Sequence, residues 1–266
     1  MKSISVLGSG WLGLPLAAQF VRKGYRVSAS TRSASRLEEI ASVGASAQVV
    51  DIDAMEFAAP FFDSEVLVVN ITSKNFGGFE RLVDVIAASA VRRVIFVSST
   101  SVYRNSGGLV AEEQGDEDEQ SPLLAIENLF RRCRGFDTTV LRFAGLIGYS
   151  RHPGRFFGDR ALADPDSPVN LIHRDDCIAI IERIIERNCW GEVFNACADT
   201  HPPKREFYRL ARQSLGLPGP RIEESVNPGF KVVNNEKLKR VLEYRFKFSD
   251  LMTLEFAPPA FDPIKK

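Results

Sequence analysis

A chain of 266 residues, 44% hydrophobic and 26% charged, can bury a full core but is short for two large domains. Its 34 basic and 34 acidic side chains cancel, so it offers no basic field to a phosphate backbone, and nucleic acid is not an expected partner. No apolar stretch approaches the roughly 18 residues that span a bilayer, no secretory signal precedes the first apolar run, and Cys133, Cys177, Cys189 and Cys197 match no zinc or redox spacing. The expectation is a cytoplasmic protein with reduced thiols, no membrane and no metal.

The apolar run 4–7 ends at Gly8 and predicts a buried parallel strand. Leu12, Leu16 and Phe20 at helical spacing predict a helix over 11–23, stopped at Gly24. A second strand is expected at 25–30. Ser35-Arg36-Leu37-Glu38 has the spacing of a capping box and opens a second helix. Strands follow at 48–50, 66–70 and 94–98, with a helix over 79–90 between the last two. This alternation gives an α/β fold, a Rossmann-type doubly wound parallel sheet covered on both faces. Glu112 to Glu119 forms an acidic run that reads as a solvated surface loop. After Ser98 the alternation loosens, with strands at 139–143, 169–172 and 193–195 and helices at 175–187, 204–215 and 235–242. The expected organisation is a dinucleotide-binding domain over residues 1–150 and a small C-terminal substrate lobe over 151–266 that shares the same sheet.

Gly8-Ser9-Gly10-Trp11-Leu12-Gly13 fits the G-x-G-x-x-G pattern. Among 19 glycines the pattern arises by chance, and its weight comes from its place, after the first strand and opening the first helix. Gly8 permits the tight turn, Gly10 lets the backbone approach a diphosphate, and Gly13 lets the helix pack on the strand. The anion then meets free N–H groups at the positive helix end. An acidic residue at the end of the second strand would take the ribose hydroxyls of NAD. Here the strand ends in Ser30-Thr31-Arg32, with Arg36 one turn later. Arginine's fork suits a 2′-phosphate, and such charge-assisted bonds contribute about 1.5–3 kcal/mol, about ten- to hundredfold in favour of NADP(H), with NAD the alternative. Asp51 and Ile52, after the third strand, are expected at the adenine edge, and Asn70 completes the coenzyme set.

Beyond the glycine turn, Val97-Ser98-Ser99-Thr100-Ser101-Val102-Tyr103 and Leu141-Arg142-Phe143-Ala144-Gly145-Leu146-Ile147-Gly148 resemble segments of the short-chain dehydrogenase superfamily. Asn170-Leu171-Ile172-His173-Arg174-Asp175-Asp176, Glu192 to Asn195 and Asn235 to Leu238 resemble its later elements. The chain is similar to the extended or atypical branch, the NAD(P)-dependent epimerase/dehydratase group. Within that group, Gly10 to Gly13 and Arg151 to Phe157 bring it nearest to the bacterial YeeZ-like subgroup. The resemblance implies that Ser99, with Thr100 beside it, orients a substrate oxygen. It also implies a Tyr-x-x-x-Lys pair on a helix, where the lysine charge lowers the phenol's pKa. That pair is missing. Leu124 and Asn128 stand in its place or, in a shifted register, Glu119 and Leu123. No tyrosine lies between Tyr103 and Tyr149, and no lysine between Lys74 and Lys204.

The candidates for substrate contact are Tyr149, His152, Arg155 and His173, with Arg151 flanking the same Pro-Gly turn. Histidine titrates near neutrality, and two arginines suit an anionic substrate; each equally suits a solvated or structural role. Tyr103 is assigned by the resemblance to a structural corner, with a role as acid the alternative. Two functions stay open: an NADP(H)-dependent epimerase/dehydratase-like or reductase-like protein acting on a sugar or nucleotide-sugar-type small molecule, and a non-catalytic NADP(H)- or ligand-sensing protein. A hydroxyacid-dehydrogenase pattern, which Gly13-Leu14-Pro15 also fits, would make the second half largely helical. By analogy with similar proteins, the helices near Phe79 and Leu123 suggest a homodimer.

Overall fold

The computed structural model describes residues 2–158, 160–223 and 229–256. In chain order its first elements are β1 (Ser3–Leu7), α1 (Gly13–Arg22), β2 (Arg26–Thr31), α2 (Leu37–Ser42), β3 (Ser46–Asp51) and β4 (Glu56–Phe57). Then come β5 (Val66–Val69), α3 (Phe76–Ala87), β6 (Arg93–Ser99), β7 (Gly108–Val110), α4 (Pro122–Arg132), β8 (Asp137–Phe143) and β9 (Gly145–Ile147). The remainder is β10 (Leu162–Ala163), β11 (Leu171–His173), α5 (Arg174–Arg187), β12 (Val193–Ala196), α6 (Lys204–Gln213), β13 (Ile222–Glu223), β14 (Lys231–Val233) and α7 (Glu236–Leu242). No helix among the described residues is long and apolar enough to cross a membrane.

Eight strands form one mostly parallel sheet in the order β12-β8-β6-β5-β1-β2-β3-β4. Ile4 pairs with Val27 on one side and with Val66 on the other, both in parallel, and β4 runs antiparallel to β3. The chain winds outward from β1 through β2 to β3, then crosses back to β5 and winds the other way. The β1–β5 junction is therefore the switch point of a doubly wound fold, where the strands' carboxyl ends leave a crevice. β5 is buried at all four positions, as a strand covered on both faces must be. Below it Phe79, Phe96 and Phe130 join α3, β6 and α4, with Phe96 and Phe130 centroids 4.6 Å apart.

Two expectations shift locally. The capping box at Ser35 does not form: Arg36 N–H bonds the Ser33 carbonyl in a 3-10 turn, the Ser33 and Ser35 hydroxyls pair at 2.7 Å, and α2 opens at Leu37 without a side-chain cap. α3 begins three residues before the expected start, because Asn75 caps it by accepting the Gly78 N–H at 3.0 Å; Gly77-Gly78 masks the helical pattern there.

The chain forms two units that interleave in sequence. The first comprises Met1–Val102, Asp118–Arg142 and Ile181–Phe194 and holds most of the sheet. The second comprises Tyr103–Glu117, Phe143–Ile180 and the chain from Asn195 onward. In it β9 pairs with β11, β7 with β14 and β10 with β13, all parallel, so the second half is not largely helical. Its core gathers Ile147, Leu162, Leu171, Phe207 and Leu251. The acidic run is not wholly a solvated loop, since half-buried Glu112 accepts the Asn195 N–H at 2.6 Å. Tyr103 is buried and donates to Asn195 Oδ1 at 2.8 Å, which ties down the corner it occupies.

Candidate functional site

In the first unit, β1 delivers Gly8 to the crevice with φ +98, a conformation L side chains rarely adopt. Ser30 of β2 holds the turn twice: its hydroxyl accepts the Gly8 N–H at 3.1 Å and its carbonyl the Ser9 N–H at 2.8 Å. From β5, Asn70 donates its amide to the Gly8 carbonyl at 3.3 Å. A Cβ on Gly8 would lie 2.7 Å from Ile71 Cγ2, and one on Gly13 would overlap the Gly8 carbonyl oxygen. A Cβ on Gly10 would meet nothing within 4 Å. Gly8 and Gly13 thus close the turn, while Gly10 leaves its outer side open.

Two further features fit a diphosphate. No side chain caps α1, and no acidic residue lies in its first turn, so its positive end is not neutralised from within. The Ser9 hydroxyl is buried and has no hydrogen-bond partner among the described residues, a state that costs free energy unless a ligand oxygen completes it. Trp11 and Leu12 belong to the same turn, and Leu12 is buried.

At the end of β2, Thr31 is buried and its hydroxyl accepts the Ser33 N–H at 3.2 Å. Arg36 spans from the Ser9 carbonyl (2.9 Å) to Glu39 (2.8 Å). The Arg32 side chain is 73% exposed and its Nη1 lies 3.5 Å from Asp53. Asp51 accepts the Asp53 N–H at 3.0 Å, and the Ile52 side chain is buried in the core. The expected coenzyme residues therefore lie at the carboxyl ends of neighbouring strands, with the Ile52 side chain turned into the core rather than toward an adenine.

At the end of β6, neighbouring serines have different partners. The Ser99 hydroxyl accepts the Ser101 N–H at 3.1 Å, and Thr100, itself buried, opens a 3-10 turn. The Ser98 hydroxyl donates to Glu127 Oε1 at 2.5 Å, and Glu127 in turn receives Arg142 Nη2 at 2.8 Å and Nε at 3.2 Å. Both charged side chains are fully buried. This pair was not expected from sequence, yet it had a signal: a glutamate between Ile126 and Phe130 on an apolar helix face, and an arginine inside a strand. Leu124 and Asn128 stand one turn apart on α4, both half-buried, whereas Glu119 precedes the helix.

The second unit gathers three of the four expected substrate residues. Tyr149 follows β9 at φ +51, and its hydroxyl donates to Asp175 at 2.9 Å. The Arg174 guanidinium lies 4.1 Å from the Tyr149 ring centre. His173 ends β11, stacks on Phe248 with centroids 3.9 Å apart, and sits so close to Gly148 that a Cβ there would be 2.5 Å from Nε2. Asp176 holds the Phe248 segment by accepting Tyr244 Oη at 2.6 Å and the Lys247 and Phe248 N–H groups at 2.8 and 3.1 Å. Tyr149, His152, His173, Phe248 and Phe256 line a cavity of about 90 Å³. His152 is already engaged at both nitrogens: Nδ1 accepts the Gly154 N–H at 3.1 Å, which leaves the proton on Nε2, 3.3 Å from Ser214 Oγ. Arg155 is exposed and lines no part of the cavity; its N–H bonds the His152 carbonyl at 3.1 Å, and its side chain makes no hydrogen bond or ion pair among the described residues.

Burial, with Asp175 beside it, pushes the Tyr149 phenol up to about 12. Burial also lowers His173 to about 4, helped by Arg174 and Lys247 against the opposing Asp175 charge. The unfolded chain protonates this residue near 6.5, the folded chain only near 4, so stability falls as pH drops between those values and is flat above them. His152 and His201 are lowered by burial too and add to the same slope. Urea titrations at pH 7 and pH 4.5 should show His173→Gln losing less stability on acidification than the parent, by up to about 3 kcal/mol. Equal losses would mean that the ring is solvated.

A family model described as NAD(P)H-binding matches residues 8–178. Protein YeeZ of Escherichia coli strain K12 is 28% identical, over 96% of this chain and 99% of its own length. A solved protein of unknown function from Silicibacter pomeroyi DSS superposes with a TM-score of 0.80 at 22% identity, covering 95% of this chain and 96% of that one. UDP-glucuronic acid 4-epimerase from Bacillus cereus, solved in complex with NAD, gives 0.75 at 18% identity, with 94% and 96% covered. At such identities the two structures establish the fold.

Proposed function

The chain belongs to the NAD(P)H-binding family, with an epimerase/dehydratase-like fold, and from that premise we propose that it binds NADP(H) and acts on a sugar or nucleotide-sugar-type small molecule as an epimerase/dehydratase-like or reductase-like protein. In this reading residues 1–150 hold the coenzyme and supply Ser99, Thr100 and Tyr149 toward the substrate, residues 151–266 form the rest of the substrate lobe, and the protein acts in the cytoplasm. The observation that carries it is the turn from Gly8 to Gly13, closed by backbone contacts and open at Gly10, with an unsatisfied Ser9 hydroxyl inside. Gly8, Ser9, Gly10, Trp11, Leu12 and Gly13 would hold the diphosphate. Thr31, Arg32 and Arg36 would surround the 2′-phosphate, Asp51 and the backbone of Ile52 the adenine, and Asn70 would support the turn.

When bound, the nicotinamide supplies or takes up hydride. The chain's own groups would orient the substrate: in the first unit Ser99, with Thr100 beside it, would donate to an oxygen, and in the second Tyr149, His152 and His173 would contact the substrate, with Arg155 outside their cavity. His152, with both nitrogens engaged, contributes shape more than bonding. The nucleotide-sugar class is supported by the Bacillus cereus epimerase, which was also solved with a UDP-glucuronic acid analogue.

Titration of the purified chain with NADPH and NADH tests the coenzyme. Arg32→Ala is expected to weaken NADPH by about tenfold or more and leave NADH nearly unchanged. Equal affinities in the parent remove the NADP(H) assignment. A second reading, a sensor that binds without turnover, is favoured by the residues at the positions that the resemblance assigns to Tyr and Lys, Leu124 and Asn128 or, in the shifted register, Glu119 and Leu123. Hydride transfer assayed over aldehydes, ketones and nucleotide sugars divides the two.

A further inference from the structure

The end of β2, the loop after β3 and the loop after β5 meet at one carboxylate, Asp53. Its Oδ1 accepts the Ser73 hydroxyl at 2.6 Å, and that hydroxyl oxygen accepts the Asn75 N–H at 3.1 Å as the chain enters α3. Its backbone N–H is held by Asp51 at 3.0 Å. With one oxygen and the backbone fixed, the second oxygen is presented to Arg32, 3.5 Å away. The Arg32 side chain makes no other hydrogen bond or ion pair among the described residues.

We propose that Asp53 is a specificity-determining residue of the coenzyme site: it holds Arg32 and opposes a 2′-phosphate with its own charge, so it lowers the preference for NADP(H) over NAD(H). The inference rests on the NADP(H) reading above and adds a residue that restrains it. The arginines alone overstate the positive field, because Arg32 faces Asp53 and Arg36 faces Glu39. A dianionic phosphate must draw Arg32 from Asp53 and then lie beside that carboxylate. An NADH ribose, which carries no charge at that position, does neither. Because the pair is exposed, the effect is modest and screened by salt.

Calorimetric titrations with NADPH and NADH at low salt test this on the parent, Asp53→Asn, Ser73→Ala and Arg32→Ala. Asparagine keeps an acceptor for Ser73 and removes only the charge. Asp53→Asn is expected to tighten NADPH about fivefold and leave NADH within about twofold, and the gain shrinks at high salt. Ser73→Ala loosens the loops but keeps the carboxylate, so it brings no selective NADPH gain. If Asp53→Asn shifts both coenzymes alike, or neither, or if Ser73→Ala reproduces its selective gain, the inference is wrong. If the parent binds both coenzymes equally and Arg32→Ala moves neither, the 2′-phosphate reading itself fails and the inference falls with it.

Discussion

Gly13→Ala is expected to abolish coenzyme binding, weakening NADPH and NADH together by at least about a hundredfold. The added methyl would overlap the Gly8 carbonyl oxygen, which is backbone and cannot swing aside. Nor can the turn yield, because Ser30 holds the N–H groups of Gly8 and Ser9 and Asn70 holds the Gly8 carbonyl. Relief requires α1 to lift from β1, which carries the helix end away from the diphosphate. Such overpacking also costs about 1–3 kcal/mol of stability, measurable by urea denaturation. Gly10→Ala separates the two effects. Its Cβ has open space, so the fold should be untouched while binding suffers from the blocked approach. A Gly13→Ala protein that binds like the parent would show that the diphosphate lies elsewhere.

The centre of the sheet was legible in the sequence because its strands are covered on both faces and so are rich in apolar residues. The runs 4–7 and 66–70 mark β1 and β5 to within a residue. Helix starts were harder to read. The true caps, Asn75 and the 3-10 turn at Ser33, depend on backbone conformation, and Gly77-Gly78 hid the first turn of α3. The glycine turn was readable because each glycine answers a local steric demand that any sequence must meet at that place.

The partners of charged residues were not readable. Arg32 suggests an open cation, but Asp53 stands 21 positions away and meets it only because β2 and β3 end side by side. His152 looked like a titrating ligand, yet its bonds to Gly154 and Ser214 make it a brace between a turn and α6. Tyr149 and His173, 24 positions apart in sequence, meet because β9 and β11 pair in register, Ile147 against His173. Pairing across a sheet is a long-range property that single-sequence patterns do not encode.

Glu127 carries the second large effect. Glu127→Ala is expected to lower stability by about 3–5 kcal/mol, because it takes the carboxylate away from a guanidinium buried in the first unit's interior. It also removes the acceptor of the Ser98 hydroxyl, so the strand end that carries Ser99 loses its tie to α4. Stability lost to the missing charge partner should return largely in a Glu127→Leu, Arg142→Met double variant, since an apolar pair of similar volume needs no compensation. The tie from Ser98 to α4 should not return. If Ser99 acts on the substrate, the double variant regains its urea midpoint while turnover or ligand affinity stays low. A loss below about 1 kcal/mol in Glu127→Ala would mean that water already reaches Arg142, and the pair would then neither fix the fold nor position Ser99.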